Sequence, residues 1–330
     1  MGLRFEPVPM VGTTADPVAD TARWLASDPV RALVETFDGD PAWLAGPSST
    51  LALRLAELDG FTDQWDTRQG RERNEASELQ LTVVQEETVL AAIEALGHLG
   101  TAPPRFGHYD HLLMLGGLIR ACLSRPAFAA KLLADGEVTA SSLTALGGHR
   151  PFVGNEFEHA AANGLPDLSE EYEALDVGTR RAFHLGEPES VVGESSEEVG
   201  GTWGIRSYRT DGGLAVHVAA APSSEPATRR ADTPDSYAFF AERIAHLQPG
   251  QRLLMITTPI YVPPQHLAAV RMLAIPYGVE VDTVGTVRSD LRPGDPLPYS
   301  ATQYLLEVRA TIRALRRLAE VAAGSGSPRR

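Results

Sequence analysis

Three short stretches place small or hydroxyl-bearing residues directly after apolar runs, and these are the positions where the sequence offers chemistry. Gly116-Gly117 follows a run that begins at Asp110, Gly147-Gly148 follows a second run, and Thr257-Thr258 follows a third. Glycine lets backbone amides approach a ligand closely, and the amino terminus of a following helix favours anions. A glycine pair by itself is explained equally well by tight packing of a turn against a sheet.

Four side chains near these turns can move or stabilise charge. In the turn after Gly148, His149 can act as a general base near neutral pH, and Arg150 can clamp a carboxylate or phosphate. Glu156 can accept hydrogen bonds from a ribose or an amine. Tyr261, in a proline-braced loop, can stack on an adenine or donate a proton. The alternatives are solvated turn residues, a first-turn helix carboxylate and a core or lid tyrosine.

Two further motifs have a structural reading beside the functional one. Arg120 and Arg125 follow the first glycine pair, and because they are five residues apart on a predicted helix, at most one can point into a site. Asp232-Thr233 precedes Pro234, which predicts a helix start with Thr233 as the N-cap. Capping accounts for Thr233 without any ligand.

Metal, lysine and cysteine chemistry are not expected. On a strand, His108 and Asp110 share a face while His111 points away, so no convincing third ligand completes a metal site. Lys131, the one lysine, lies in a helical pattern away from the glycine turns, which argues against Schiff-base and P-loop mechanisms. Cys122 lies on an apolar helix, where a buried structural thiol is the ordinary role.

Composition narrows the class of protein and of partner. The 330 residues are 43% hydrophobic and carry a net charge of −14, which favours small molecules or proteins as partners over nucleic acid or an anionic membrane. A single cysteine, no signal-like apolar stretch at the amino terminus and no run of about 18 apolar residues lead us to expect a cytoplasmic protein. The oligomeric state is left open.

Helical periodicity dominates residues 1–104. Apolar residues recur at spacings of three, four and seven, with Asp16 and Ser77 as expected caps, so we predict an N-terminal helical domain or cap. The polar run after Trp65 is either an ion-paired helix surface or a segment whose Arg68 and Arg73 reach into a site.

Strands and helices alternate over residues 105–322. This pattern predicts an α/β fold with a doubly wound, mainly parallel sheet. Residues 167–213 are treated as an insertion that contains a helix and leads into a β-hairpin turning at Asp211-Gly212-Gly213. Residues 323–330 are expected to form a disordered tail.

The order LLMLGG, LTALGGHRP, RADTPDSYAFF and LLMITTPIYVPPQHLAAVRMLAIPYGVEV resembles the DUF218 family of YdcF-like and SanA/ElyC-like proteins. The resemblance spans about residues 109–285 and implies a doubly wound α/β fold with S-adenosylmethionine as a ligand. By position it implies cofactor contacts at Gly116, Gly117, Arg125, Gly147, Gly148, Asp232, Thr233, Thr257 and Thr258, with Glu156 as the acidic residue. Tyr261 stands where many members carry histidine, so this chain resembles a divergent member.

These observations lead to one main expectation and two alternatives. The main expectation is an enzyme that binds S-adenosylmethionine or a nucleotide at the strand ends and transfers a group in bacterial specialised metabolism. Its catalytic groups would be Glu156, Arg150 and Tyr261, and Arg120 would join the cofactor contacts, with no metal. The alternatives are a ligand-sensing or partner-binding protein without chemistry and a metal-independent phosphoester hydrolase.

Overall fold

The chain folds into a mixed α/β structure that divides into two compact units. The computed structural model describes residues 2–14, 16–45, 50–67, 77–286 and 297–325. The first unit, here the helical unit, comprises Met1–Thr101, Pro259–Arg271 and Arg288–Arg330. The second, here the sheet unit, comprises Ala102–Thr258 and Met272–Val287. The expected α/β class with a mainly parallel sheet is confirmed.

In the described part of the chain, the α-helices of the helical unit are α1 Pro17–Leu25, α2 Asp28–Thr36, α3 Leu51–Phe61, α4 Val83–Ala95, α9 Val262–Ala269 and α11 Ala301–Ser325. Asp16 caps α1 as expected, since its side chain accepts from the amides of residues 18 and 19. Ser77 as a cap is wrong. Helix α4 begins after Thr82, which forms a reciprocal capping box with Gln85 and thereby satisfies two amides at that end.

Helix α11 packs with the N-terminal helices, whereas the sequence analysis groups it with residues 105–322. Its buried Arg309 donates to the carbonyl oxygen of Thr62 at 2.8 Å, and Thr302 Oγ1 accepts from the Leu79 amide at 3.0 Å. The helix also continues to Ser325, into the expected tail, and residues 326–330 lie outside the described part of the chain. Arg68 and Arg73 lie outside it as well.

The sheet unit contains seven strands: β1 His108–Leu115, β2 Thr139–Gly147, β3 Ser190–Glu194, β4 Trp203–Arg209, β5 Ala215–Ala220, β6 Arg252–Thr257 and β7 Glu280–Gly285. Their spatial order is β3-β4-β5-β2-β1-β6-β7. The five strands from β5 to β7 in this order run parallel, so their carboxyl ends lie at one edge. Strands β3 and β4 extend the sheet in antiparallel fashion.

Helices cover both faces of this sheet. The sheet unit holds α5 Ile119–Ala134, α6 Glu156–Ala162, α7 Glu171–Phe183, α8 Thr233–Phe240 and the short α10 Ile275–Tyr277. Apolar residues of α5 and α7, such as Cys122 and Leu175, form one core with Leu112. His111 and Leu112 are consecutive residues of β1, so their side chains point to opposite faces of the sheet. On the face of His111, Phe240 of α8 packs edge-on against the imidazole ring.

The segment treated as an insertion contributes to the body of the sheet unit. Helix α7 adds Tyr172, Ala174 and Leu175 to the core, and β4 pairs with β5, which in turn pairs with β2. The hairpin itself is present as β4 and β5. The acidic, serine-rich stretch before it contains an additional strand, β3, which its polar surroundings concealed.

Candidate functional site

A hydrogen bond and a close backbone contact join the carboxyl ends of β1 and β2 at their glycines. The amide of Gly116 donates to the carbonyl oxygen of Leu146 at 2.5 Å. A Cβ atom added at Gly116 would lie 2.9 Å from the Gly147 Cα, so a side chain does not fit there. Close packing of one turn against the other therefore accounts for these glycines in this structure.

Glu171, which is not among the site residues expected from the sequence, lies over both glycine pairs. Its carboxylate is the nearest group to a Cβ atom built at Gly116 or at Gly147, and the Gly148 amide donates to it. Burial raises the pKa of Glu171, while the neighbouring guanidinium groups of Arg150 and Arg125 oppose the rise. An internal carboxylate thus occupies the space where a ligand anion was expected. The available signal was a pair of glutamates at a helix start.

Arg150 uses all five of its N–H donors inside the protein. Its Nε donates to Glu171 at 2.9 Å, and its two terminal nitrogens donate to both oxygens of Glu156 at 2.7 and 3.0 Å. The remaining two bonds reach the carbonyl oxygens of Pro151 and Gly117, each at 3.0 Å. Because a guanidinium has five N–H groups, Arg150 can bind a substrate anion only by giving up one of these contacts.

Glu156 is equally saturated and only 1% exposed. Besides Arg150 it accepts from the amides of Ile119 at 2.8 Å and Val153 at 2.9 Å, so each carboxylate oxygen receives two bonds. Burial would raise the pKa of Glu156, but the bonds from Arg150 and the two amides outweigh it and lower the pKa. Glu156 therefore caps the start of α5, and a proton-accepting role would require breaking this arrangement.

Arg125 connects the end of β1 to the turn after β6. Its buried guanidinium donates to the carbonyl oxygens of Leu115 and Gly116 and, at 2.9 Å, to the hydroxyl of Thr258. Thr257 is the fully buried last residue of β6. Arg120 is exposed and lies 3.5 Å from His159, so the structure brings Arg125 and not Arg120 to these strand ends.

His149 is the titratable residue of this cluster that combines an oriented side chain with access to solvent. Its Nδ1 lies 3.1 Å from Glu170 Oε2, and the two side chains are 26% and 28% exposed. The ring also packs edge-on against Tyr172, with centroids 5.0 Å apart. A carboxylate partner makes Nδ1 the protonated nitrogen of a neutral imidazole, so Nε2 is left as the proton acceptor.

The remaining predicted residues are placed elsewhere or differently. Asp232, not Thr233, is the N-cap of α8, because Asp232 Oδ1 accepts from the Asp235 amide at 3.1 Å and Thr233 is the first helical residue. Both follow β5 in the sheet unit. Tyr261 ends a short 3₁₀ turn before α9 and belongs to the helical unit.

Three residues considered for metal or thiol chemistry have structural roles. His108 and His111 lie 2.9 and 2.8 Å from the hydroxyls of Thr139 and Ser142. Among the described residues, no group of three or more potential ligands could hold a metal ion. Burial raises the pKa of the Cys122 thiol, which lies 3.3 Å from the Gly117 carbonyl oxygen.

Comparison with known proteins places this chain beside a group of mycobacterial proteins. A family model described as the Rv3785 N-terminal domain matches residues 10–97. "Uncharacterized protein Rv3785" of Mycobacterium tuberculosis H37Rv and "Uncharacterized protein Mb3814" of Mycobacterium bovis are each 28% identical to it, with 94% of this chain and 93% of theirs aligned. No solved structure matches.

The resemblance to DUF218 is therefore wrong. The similarity to the Rv3785 proteins covers 94% of this chain, and the matching family model bears another name. Short glycine and threonine turns after apolar strands are general features of open α/β sheets, so these turns do not distinguish one family of such proteins from another.

None of the helices in the described part of the chain is long and apolar enough to cross a membrane.

Proposed function

We propose that the sheet unit is a doubly wound fold that binds a small polar molecule at the carboxyl ends of β1, β2 and β6. The strand order supports this proposal: from β1 the chain builds β2 and β5 on one side and β6 and β7 on the other. The order therefore reverses between β1 and β6, and ligands of open α/β sheets bind at such a reversal.

The observation that carries the proposal is the contact between His149 and Glu170. A partly exposed imidazole held by a carboxylate has the geometry of a general base. In the proposed step a proton passes from a hydroxyl or amine of the substrate to His149 Nε2, and Glu170 stabilises the imidazolium that forms. The activated oxygen or nitrogen then attacks the group to be transferred. The bond between that group and its donor breaks, the donor leaves with the electron pair of that bond, and His149 afterwards releases its proton to solvent.

We assign the ligand only to the class of small polar molecules. S-adenosylmethionine was suggested chiefly by a resemblance that is wrong, so it enters here as one compound to test beside nucleotides and nucleotide sugars. Arg150 and Glu156 are assigned to holding the turns in place, because their hydrogen bonds are already satisfied within the protein.

The experiment is a thermal-shift titration with S-adenosylmethionine, S-adenosylhomocysteine, ATP and a nucleotide sugar. A compound present at about 100 times its Kd should stabilise the fold by about 2.7 kcal/mol, which raises Tm by several degrees. We expect the shift to shrink in H149Q. The control H108Q changes a histidine at the other end of β1 and should keep the shift. Stabilisation by none of these compounds would contradict the proposal, as would an undiminished shift in H149Q.

A sensing role without chemistry is the second candidate. The saturated hydrogen bonds of Arg150 and Glu156 favour it, because two of the three expected catalytic groups already serve the fold. Recovery of a bound ligand unchanged after prolonged incubation with candidate acceptors would support sensing over transfer.

A further inference from the structure

The two outer strands of the sheet differ sharply in exposure. At one edge, five of the six residues of β7 are buried. At the other, all five residues of β3 are exposed, and Val191 and Val192 show 63% and 51% of their surface on opposite faces of the strand. Within the described residues β3 pairs with β4 alone, which leaves one row of its backbone groups open.

This edge lacks several of the features that usually prevent strand addition. Edge strands are commonly protected by short length, charged side chains (lysine above all), proline or a bulge, and of these β3 has its short length and Glu194. The sequence Ser-Val-Val-Gly-Glu of β3 contains no lysine and no proline, and its pairing with β4 runs through five consecutive residues without a bulge. Its two valines favour the extended conformation that an added strand requires.

The sequence of β3 is compatible with itself in one antiparallel register. With Val192 on a two-fold axis perpendicular to the sheet, Val192 faces its own copy, Val191 faces Gly193, and Ser190 faces Glu194. No charged residue within β3 then meets a like charge, although Glu189, Glu194, Glu197 and Glu198 make this part of the chain acidic. A parallel arrangement in register would place Glu194 against Glu194.

We propose that β3 is the interface of a symmetric dimer, in which two copies of this chain pair edge to edge through residues 190–194 with Val192 at the two-fold axis. Such a dimer would continue the seven-stranded sheet into a second copy. Five residues a side make a small contact, so the dimer belongs to the weak, concentration-dependent class. The proposal does not depend on the proposed function.

Analytical ultracentrifugation over a concentration series tests it. The wild-type protein should approach twice its 35.4 kDa mass at high concentration. V192K and V192E should each weaken dimerisation by about tenfold or more, because each sets two like charges directly opposite. The control V83K changes a valine that is 72% exposed on α4 and should leave the dimer unchanged.

The register itself is tested by mixing the two variants. An equimolar mixture of V192K and V192E should dimerise again, because lysine then faces glutamate across the axis. A wild-type protein that stays monomeric throughout would overturn the proposal. So would a V192K protein that dimerises as the wild type does, or a mixture that fails to recover the dimer. Circular dichroism of each variant checks that the fold is kept.

Discussion

Arg150 joins four segments at the strand ends with one side chain. It contacts the turn after β1 through Gly117, the segment after β2 through Pro151, and the first residues of α6 and α7 through Glu156 and Glu171. Both carboxylates are buried, so the guanidinium compensates two groups that are largely removed from water. Its removal leaves Glu156 without its cationic partner and Glu171 with Arg125 as the neighbouring cation.

We therefore expect R150A to be strongly destabilised. Removing one partner of a buried ion pair costs about 3–5 kcal/mol, and here Glu156 and Glu171 both lose hydrogen bonds to the guanidinium. Urea denaturation measures the change in the free energy of unfolding. The control R120A removes an exposed arginine on α5 and should change stability by less than about 0.5 kcal/mol. A loss in R150A no larger than in R120A would contradict this assignment.

Gly116 should tolerate no side chain. In G116A the new methyl group would lie 2.9 Å from the Gly147 Cα and beside the Glu171 carboxylate, so we expect a loss of about 1–3 kcal/mol. The matched control is G60A on α3, where a Cβ atom would meet nothing within 4 Å. There alanine should stabilise the helix by about 0.5–1 kcal/mol. Equal melting temperatures for the two variants would show that the close approach is absent.

Among the strands, β1 and β5 flank β2 and carry His111 and His217, two histidines that are expected to make the sheet sensitive to acid. Burial lowers the pKa of His111 and of His217. At His111 the Asp110 carboxylate opposes this shift and His217 adds to it. At His217 the positive charge of Arg209 adds to the shift. Both residues therefore bind protons less readily in the folded protein than in the unfolded chain, where their pKa is about 6.5. Stability is retained above that value and lost as pH falls below it.

The measurement is the free energy of unfolding at a series of pH values around 6.5, for the wild type and for H111Q/H217Q. We expect the decline below pH about 6.5 to be shallower in the double variant, because two proton-binding sites of the unfolded state are gone. The test compares how steeply the free energy of unfolding declines with pH in the two proteins, so a difference in their absolute stability does not affect it. A decline as steep as that of the wild type would contradict the contribution of these histidines.

Local patterns predicted elements well where apolar runs were bounded by turns. The three apolar runs before Gly116, Gly147 and Thr257 predict β1, β2 and β6, and helical patterns predict α5 and a helix within residues 167–213, which is α7. Strand β3 was missed because two valines within an acidic, serine-rich stretch give little alternation. The site was harder to predict, because whether Arg150 and Glu156 are satisfied depends on partners such as Gly117 and Ile119, which are distant in sequence.

At the scale of the whole molecule, the N-terminal helices depend on the C-terminal one. Residues 1–101 share their compact unit with α9 and α11. The buried His98 places Nδ1 2.9 Å from the carbonyl oxygen of Ile260, and α11 supplies Arg309 to Thr62. The family-model match ends at residue 97 and so omits the helices that complete this core.

A fragment of residues 1–101 should therefore not fold by itself. Without α11 it exposes apolar surface that the full chain buries and leaves the contacts to Thr62 and Leu79 unmade. We expect a proton–nitrogen NMR spectrum with the narrow dispersion of an unfolded chain. The control is the full-length protein, which should give a dispersed spectrum. A dispersed, cooperatively melting fragment would show that the N-terminal helices fold independently of α11.

The proposed small molecule binds at the carboxyl ends of β1, β2 and β6 beside His149, so histidine side-chain NMR reports its binding. The His149 signals are assigned by their loss in H149Q. During titration with S-adenosylmethionine, S-adenosylhomocysteine, ATP and a nucleotide sugar, at least one compound should shift the His149 signals saturably and leave those of His108 in place. His149 signals that stay unchanged with every compound would contradict binding at these strand ends.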